Sequence, residues 1–99
     1  MAERKLKPIH PGEVLTEEFL KPFGINAEVL ARNINVSKKK IDEIVSGKQS
    51  VTADLALRLA KYFGTSAQFW LGLQSDYDLD VTRRLLGEKL EKEIVALAA

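Results

Sequence analysis

The stretch Asn26-Ala27-Glu28-Val29-Leu30-Ala31-Arg32-Asn33-Ile34-Asn35-Val36-Ser37-Lys38-Lys39-Lys40-Ile41-Asp42-Glu43-Ile44-Val45-Ser46-Gly47 decides how this 99-residue chain folds. Asn26 suits an N-cap, because its side-chain oxygen can accept a bond from a free amide of the first turn. Behind it Leu30, Ala31 and Ile34 recur at helical spacing, so a helix is expected over residues 27–33. Asn35 then tolerates the left-handed backbone that a tight turn requires. Ser37 caps the next helix, residues 38–46, whose apolar set Ile41, Ile44 and Val45 forms a narrow inward stripe, and Gly47 stops it. With a period of about 3.6 residues, Lys38, Lys39, Asp42, Glu43 and Ser46 point away from that stripe, with Lys40 on its border.

Outward from this core, the same signals repeat. Pro8 and Pro11 oppose an early helix, and Pro11 suits the first turn of one that carries Val14, Leu15, Phe19 and Leu20 until Pro22 and Gly24. Thr52 caps a helix with Leu55, Ala56, Leu59, Ala60 and Phe63 on one face, ended by Gly64. Ser66 caps another over residues 67–74, with Phe69, Trp70 and Leu73 inward. After a polar break at Ser75-Asp76-Tyr77-Asp78, Leu86, Leu90, Ile94 and Leu97 define a last helix over about residues 81–97. Sustained period-two alternation is absent, although residues 33–37 and 50–52 are able to pair as very short strands. The fold class is therefore all-α, with an N-terminal extension over residues 1–10, a five-helix domain over 11–78 and a C-terminal helix over 79–99.

Composition narrows the function. Hydrophobic residues make up 45% and charged residues 29%, as in an ordinary globular domain, and no apolar run reaches the roughly 18 residues of a membrane helix. No secretory leader is evident, so a cytoplasmic protein without a membrane partner is expected. Cysteine is absent, which excludes disulfides, thiolate metal sites and a cysteine nucleophile. The single histidine, His10, has no neighbouring ligands and is expected to cap or pack at the first helix rather than to hold metal. Glu17 and Glu18 point about 100 degrees apart and form a solvated face, not an acid and base pair. Nothing here implies an enzyme or a cofactor.

The net charge of +1 hides an asymmetry. Arg32, Lys38, Lys39, Lys40 and Lys48 face only Asp42 and Glu43 between residues 32 and 48, so the positive charge is concentrated around the second helix of the pair. Two short helices joined by a tight turn, the second basic at its N-terminus, form the arrangement that places a helix in the DNA major groove. Ala31 is the small residue that lets the two helices cross closely. Free amides and the positive dipole end of the second helix favour phosphate around Ser37 to Lys40. The lysines taken alone would read as a solvated face, and Asp42 and Glu43 as i,i+4 partners of Lys38 and Lys39.

Residues 26–47 resemble the helix-turn-helix of the phage-repressor, or XRE-like, superfamily, which implies a lambda-repressor-like domain. His10-Pro11-Gly12-Glu13-Val14-Leu15, Glu17-Glu18-Phe19-Leu20, Thr52-Ala53-Asp54, Ala56-Leu57-Arg58-Leu59-Ala60, Phe63-Gly64-Thr65-Ser66, Phe69-Trp70-Leu71, Gln74 and Tyr77-Asp78-Leu79 look like the HigA antidote proteins over about residues 9–80. The resemblance implies a sequence-specific DNA-binding antitoxin that represses its own operon and neutralises a HigB-type, mRNA-cleaving toxin; because the chain reads as folded almost throughout, that toxin is expected to dock on a preformed face. It puts Lys38, Lys39 and Glu43 at base edges and Ser46, Lys48 and Thr52 at phosphates, with Ser37, Lys40 and Gln49 beside them. Similar proteins often carry Gly at the place of Asn35 and Ser or Arg near the acidic pair. A carboxylate in the groove either accepts from cytosine N4 or is repelled by phosphate. A stand-alone repressor and an interaction module that has lost DNA binding remain as alternatives. The last helix either covers its own core or pairs with a second copy, and one recognition helix reads so few bases that a homodimer on double-stranded operator DNA is favoured.

Overall fold

The computed structural model describes residues 7–98, and all described regular structure is helical. Most of the expected extension, residues 1–6, lies outside the described residues. Helix α1 covers residues 11–23 as an α-turn, Pro11–Val14, a π-helical segment, Leu15–Leu20, and a closing turn, Lys21–Phe23. The π segment explains the spacing of five between Leu15 and Leu20. A regular α-helix would rotate them apart, whereas the wider turn lets both be buried. Helix α2 is Ala27–Ile34, α3 is Lys38–Val45 and α4 is Ala53–Phe63. Helix α5 is Ala67–Leu86 and a short α6 is Lys89–Glu93.

The expected caps form. Side chains of Asn26, Ser37, Thr52 and Ser66 accept from the amides of Val29, Lys40, Leu55 and Phe69, three residues on in each case. His10 caps α1, its Nδ1 accepting the Gly12 N–H at 2.9 Å. Strands do not form at residues 33–37 or 50–52.

The C-terminal third departs from expectation. Ser75 to Asp78 do not interrupt the helix: α5 runs through them for 20 residues. The polar residues are absorbed because they bond along the helix or onto its neighbours. Gln74 donates to Asp78, Arg84 donates to Asp80, and the Tyr77 ring meets that of His10. The chain turns instead at Gly87, whose φ of 54° and ψ of −122° few other residues adopt. The expected helix over residues 81–97 is thus two pieces, the end of α5 and α6, followed by extended chain. Leu86, Leu90, Ile94 and Leu97 do not share one helical stripe.

Leu15, Leu30, Ile41, Ile44, Leu55, Leu59 and Trp70 fill the centre with essentially no exposure. Helices α2 and α3 pack on each other, α4 packs on α2 and α5, and α1 bridges α3 and α5. Trp70 donates its indole N–H to Thr65 Oγ1 at 2.8 Å and lies 5.0 Å from the Phe19 and Phe69 rings. Phe69 itself stays at the rim. The C-terminal part of α5 and α6 extend from this body, giving dimensions of 50 × 27 × 23 Å.

Candidate nucleic-acid interface

The turn between α2 and α3 is closed by main-chain bonds. Asn35 adopts φ 60°, ψ 48°, and is the non-glycine residue in left-handed backbone among the described residues. Its N–H donates to Arg32 O at 3.3 Å, and that of Val36 to Ala31 O at 3.0 Å. This double closure satisfies the last carbonyls of α2 and sends the chain sharply back. Ala31 is buried where α2 and α3 pack, as expected.

Two further contacts hold the pair, and neither was legible in the sequence. Arg58 of α4 donates through Nη1 to the Ile34 carbonyl at 2.9 Å, while its Nε donates to Asp54 at 2.6 Å. Asn33 Nδ2 donates to the Tyr62 hydroxyl at 2.9 Å. Helix α4 therefore grips the end of α2. On the other side, α1 meets α3 at Gly12, where a Cβ would lie 2.8 Å from the Ile44 carbonyl carbon and 2.9 Å from Val45 Cα. The backbone of α1 thus comes directly against that of α3 at Gly12. The Asp-x-x-x-Arg spacing of residues 54–58 signals an i,i+4 pair, but the partner carbonyl is invisible to local pattern.

Held in this way, α3 turns Ile41 and Ile44 inward and leaves Lys38, Lys39 and Lys40 exposed at its first turn. Ser37, Lys39, Lys40, Glu43 and Gln49 line one shallow depression. Lys38 lies to the side, its Nζ donating to Asp42 at 2.8 Å, and this partner holds the ammonium above its ordinary pKa. Of the two i,i+4 pairs expected here, Lys38–Asp42 forms and Lys39–Glu43 does not among the described residues. Glu43 is half-buried, and its carbonyl accepts from the amides of Lys48 and Gln49 at 2.8 and 3.2 Å. Lys48, Gln49 and Thr52 are exposed along the connection to α4. The hydroxyls of Ser46 and Thr52 are used locally, Ser46 donating to Glu43 O and Thr52 capping α4.

His10 packs beneath this connection, its ring edge-on to Tyr77 at 4.9 Å and close to Gly47. Burial holds its pKa below the ordinary value, against the opposing pull of the Gln49 main chain and the Asp78 carboxylate. The neutral ring suits the observed cap, since a protonated Nδ1 cannot accept the Gly12 amide. Among the described residues there is no cluster of metal-ligating side chains, and no helix long and apolar enough to cross a membrane.

A lysine-tipped helix projecting from a clamped two-helix turn defines a helix-turn-helix protein, and the family model described as Helix-turn-helix matches residues 17–70. The chain is 46% identical to the Pseudomonas aeruginosa antitoxin HigA, solved with the higBA promoter, at a TM-score of 0.89 over 92% of this chain and 99% of that one. It is 48% identical over 82 residues to virulence-associated protein I of Dichelobacter nodosus, spanning 83% of this chain and 76% of the relative. It is 35% identical over 89 residues to antitoxin HigA-1 of Vibrio cholerae, spanning 90% and 84%. The chain belongs to the helix-turn-helix family and, within it, to the HigA antitoxins.

Proposed function

We propose that this chain is a DNA-binding antitoxin of the cytoplasm that represses its own operon and neutralises a HigB-type RNase by docking it on a preformed surface. The observation that carries this reading is the exposed lysine tip of α3, held on both flanks by Gly12 and Arg58, in a chain closely similar to an antitoxin solved with its promoter. The protein works by binding, not catalysis. Lys38, Lys39 and Glu43 face base edges, whereas Ser46, Lys48 and Thr52 approach phosphate, with Ser37, Lys40 and Gln49 beside them. The Lys38–Asp42 pair opens when the lysine reaches a guanine.

Base and phosphate contacts leave different signatures. Lys39→Ala is expected to cost about 1–3 kcal/mol on the preferred operator and to flatten discrimination between sequences. Lys48→Ala weakens all duplexes alike and lowers the salt slope by roughly one. Titration of both variants against matched and scrambled duplexes checks this, and identical behaviour of the two would refute the assignment. Growth rescue tests the toxin half: co-expression should restore cells poisoned by a HigB-type protein encoded beside this chain's gene.

The chain is proposed to act as a homodimer, so that two α3 helices reach half-sites about 34 Å apart. Apolar side chains outside the body support the reading, with Leu85 79%, Leu90 43% and Ile94 63% exposed. A second copy of the same arm would remove them from water. Sedimentation at micromolar concentration should show a dimer that Leu90→Glu splits into monomers. A wild-type monomer would refute the assembly.

A further inference from the structure

We infer that Gln74 is a positioning residue for DNA binding: from α5 it holds the 46–52 connection in the register that presents Lys48 and its neighbours to phosphate. The inference rests on the DNA-binding reading above. Gln74 is the buried polar side chain among the described residues, at 6% exposure. Such a group is costly to bury unless both ends of its amide are used, and here both are. Its Oε1 accepts the Val51 N–H at 2.8 Å, across 23 residues of sequence, and its Nε2 donates to Asp78 Oδ1 at 3.0 Å.

The Asp78 bond selects the orientation of that amide. An ionised carboxylate only accepts, so it draws the NH₂ toward itself and leaves the carbonyl for Val51. Flipping the amide would set oxygen against oxygen and N–H against NH₂.

The rest of the connection is fixed at its two ends. At its start the amides of Gly47, Lys48 and Gln49 bond back to Ile44 and Glu43 of α3. At its close Thr52 caps α4. Between them Val51 is buried, and its N–H reaches Gln74. Remove that acceptor and a buried donor is left unpaired, a state the chain relieves by shifting Val51 toward water. The pull passes through Ser50 to the bonds that the Lys48 and Gln49 amides make to the Glu43 carbonyl, and Lys48 shifts as those bonds loosen. Helix α5 thereby sets the placement of phosphate contacts that it does not itself make.

Gln74→Met keeps the length of the side chain and removes both bonds. Its test is a double-mutant cycle with Lys48→Ala, read by fluorescence anisotropy on a labelled duplex of mixed sequence at low salt, where phosphate contacts dominate. Gln74→Met is expected to lower affinity by about tenfold in the wild-type background and by less than about twofold once Lys48 is gone. Equal fold-losses in both backgrounds would overturn the inference, because a general loosening of the fold does not depend on Lys48. If Gln74→Met melts below the assay temperature, Gln74→Asn, which keeps a polar amide but is one methylene too short to reach the Val51 N–H, serves in the same cycle with the same two outcomes. A folded wild-type chain that fails to bind the duplex defeats the DNA-binding reading itself, an outcome distinct from an additive cycle.

Discussion

Gly12→Ala is expected to destabilise the protein by about 3 kcal/mol and to abolish tight DNA binding at temperatures where the variant remains folded. Two effects compete at this position. Gly12 lies in the first turn of α1 with ordinary helical backbone, and there alanine is favoured over glycine by roughly 0.5–1 kcal/mol. Against this, the added methyl would stand 2.8 Å from the Ile44 carbonyl carbon and 2.9 Å from Val45 Cα. Those atoms belong to backbone, which cannot rotate away as a side chain does. Helix α1 must therefore lift off α3, uncovering Ile44 and releasing the helix proposed to reach DNA. The steric term exceeds the propensity gain severalfold and sets the sign. Urea denaturation checks it: a variant more stable than the parent would mean that α1 and α3 do not meet at Gly12.

Trp70→Ala is expected to cost about 3–5 kcal/mol, a large part of the 5–15 kcal/mol that holds a typical domain together. Trp70 is fully buried, and its ring contacts Phe19, Phe63 and Phe69. It therefore ties α5 to α1 and α4, and its loss leaves a void that three helices line. Trp70→Phe separates volume from hydrogen bonding. It keeps most of the ring and forfeits the bond to Thr65, worth about 1 kcal/mol. Circular dichroism melting should place the alanine variant at least about 12 °C below the parent, with the phenylalanine variant between them. Equal melting temperatures for the two variants would show that the indole N–H, not the packed volume, matters here.

What could be read from sequence follows from the range of the interactions involved. Asn26, Ser37, Thr52 and Ser66 were legible as caps because each bonds an amide three residues away, and the left-handed turn at Asn35 is an equally local property. The grouping of Ser37, Lys39, Lys40, Glu43 and Gln49 follows from a single helix and the turn after it. Gly12, Arg58 and Gln74 escaped because their partners lie far along the chain, and only the assembled fold shows a glycine wedged against a backbone or an amide aimed at a loop. The continuous helix through residues 75–78 has another origin. Ser, Tyr and Asp are mediocre helix formers, not breakers, and tertiary support from His10 and pairing within the helix overrides their preference. Gly87, which does end the helix, lies within an apolar repeat that continues past it, so periodicity alone conceals the stop.

The uninterrupted course of α5 has a mechanical consequence. At about 1.5 Å per residue its 20 residues make a lever roughly 30 Å long, seated at one end among the aromatic rings and free of the body at the other. A tilt of about 5° at the seat displaces the tip by ~2.6 Å, close to half a helical turn. Whatever grasps the tip therefore aims the whole DNA-reading head, and a change of a few degrees in that grip carries the head sideways by a few ångströms.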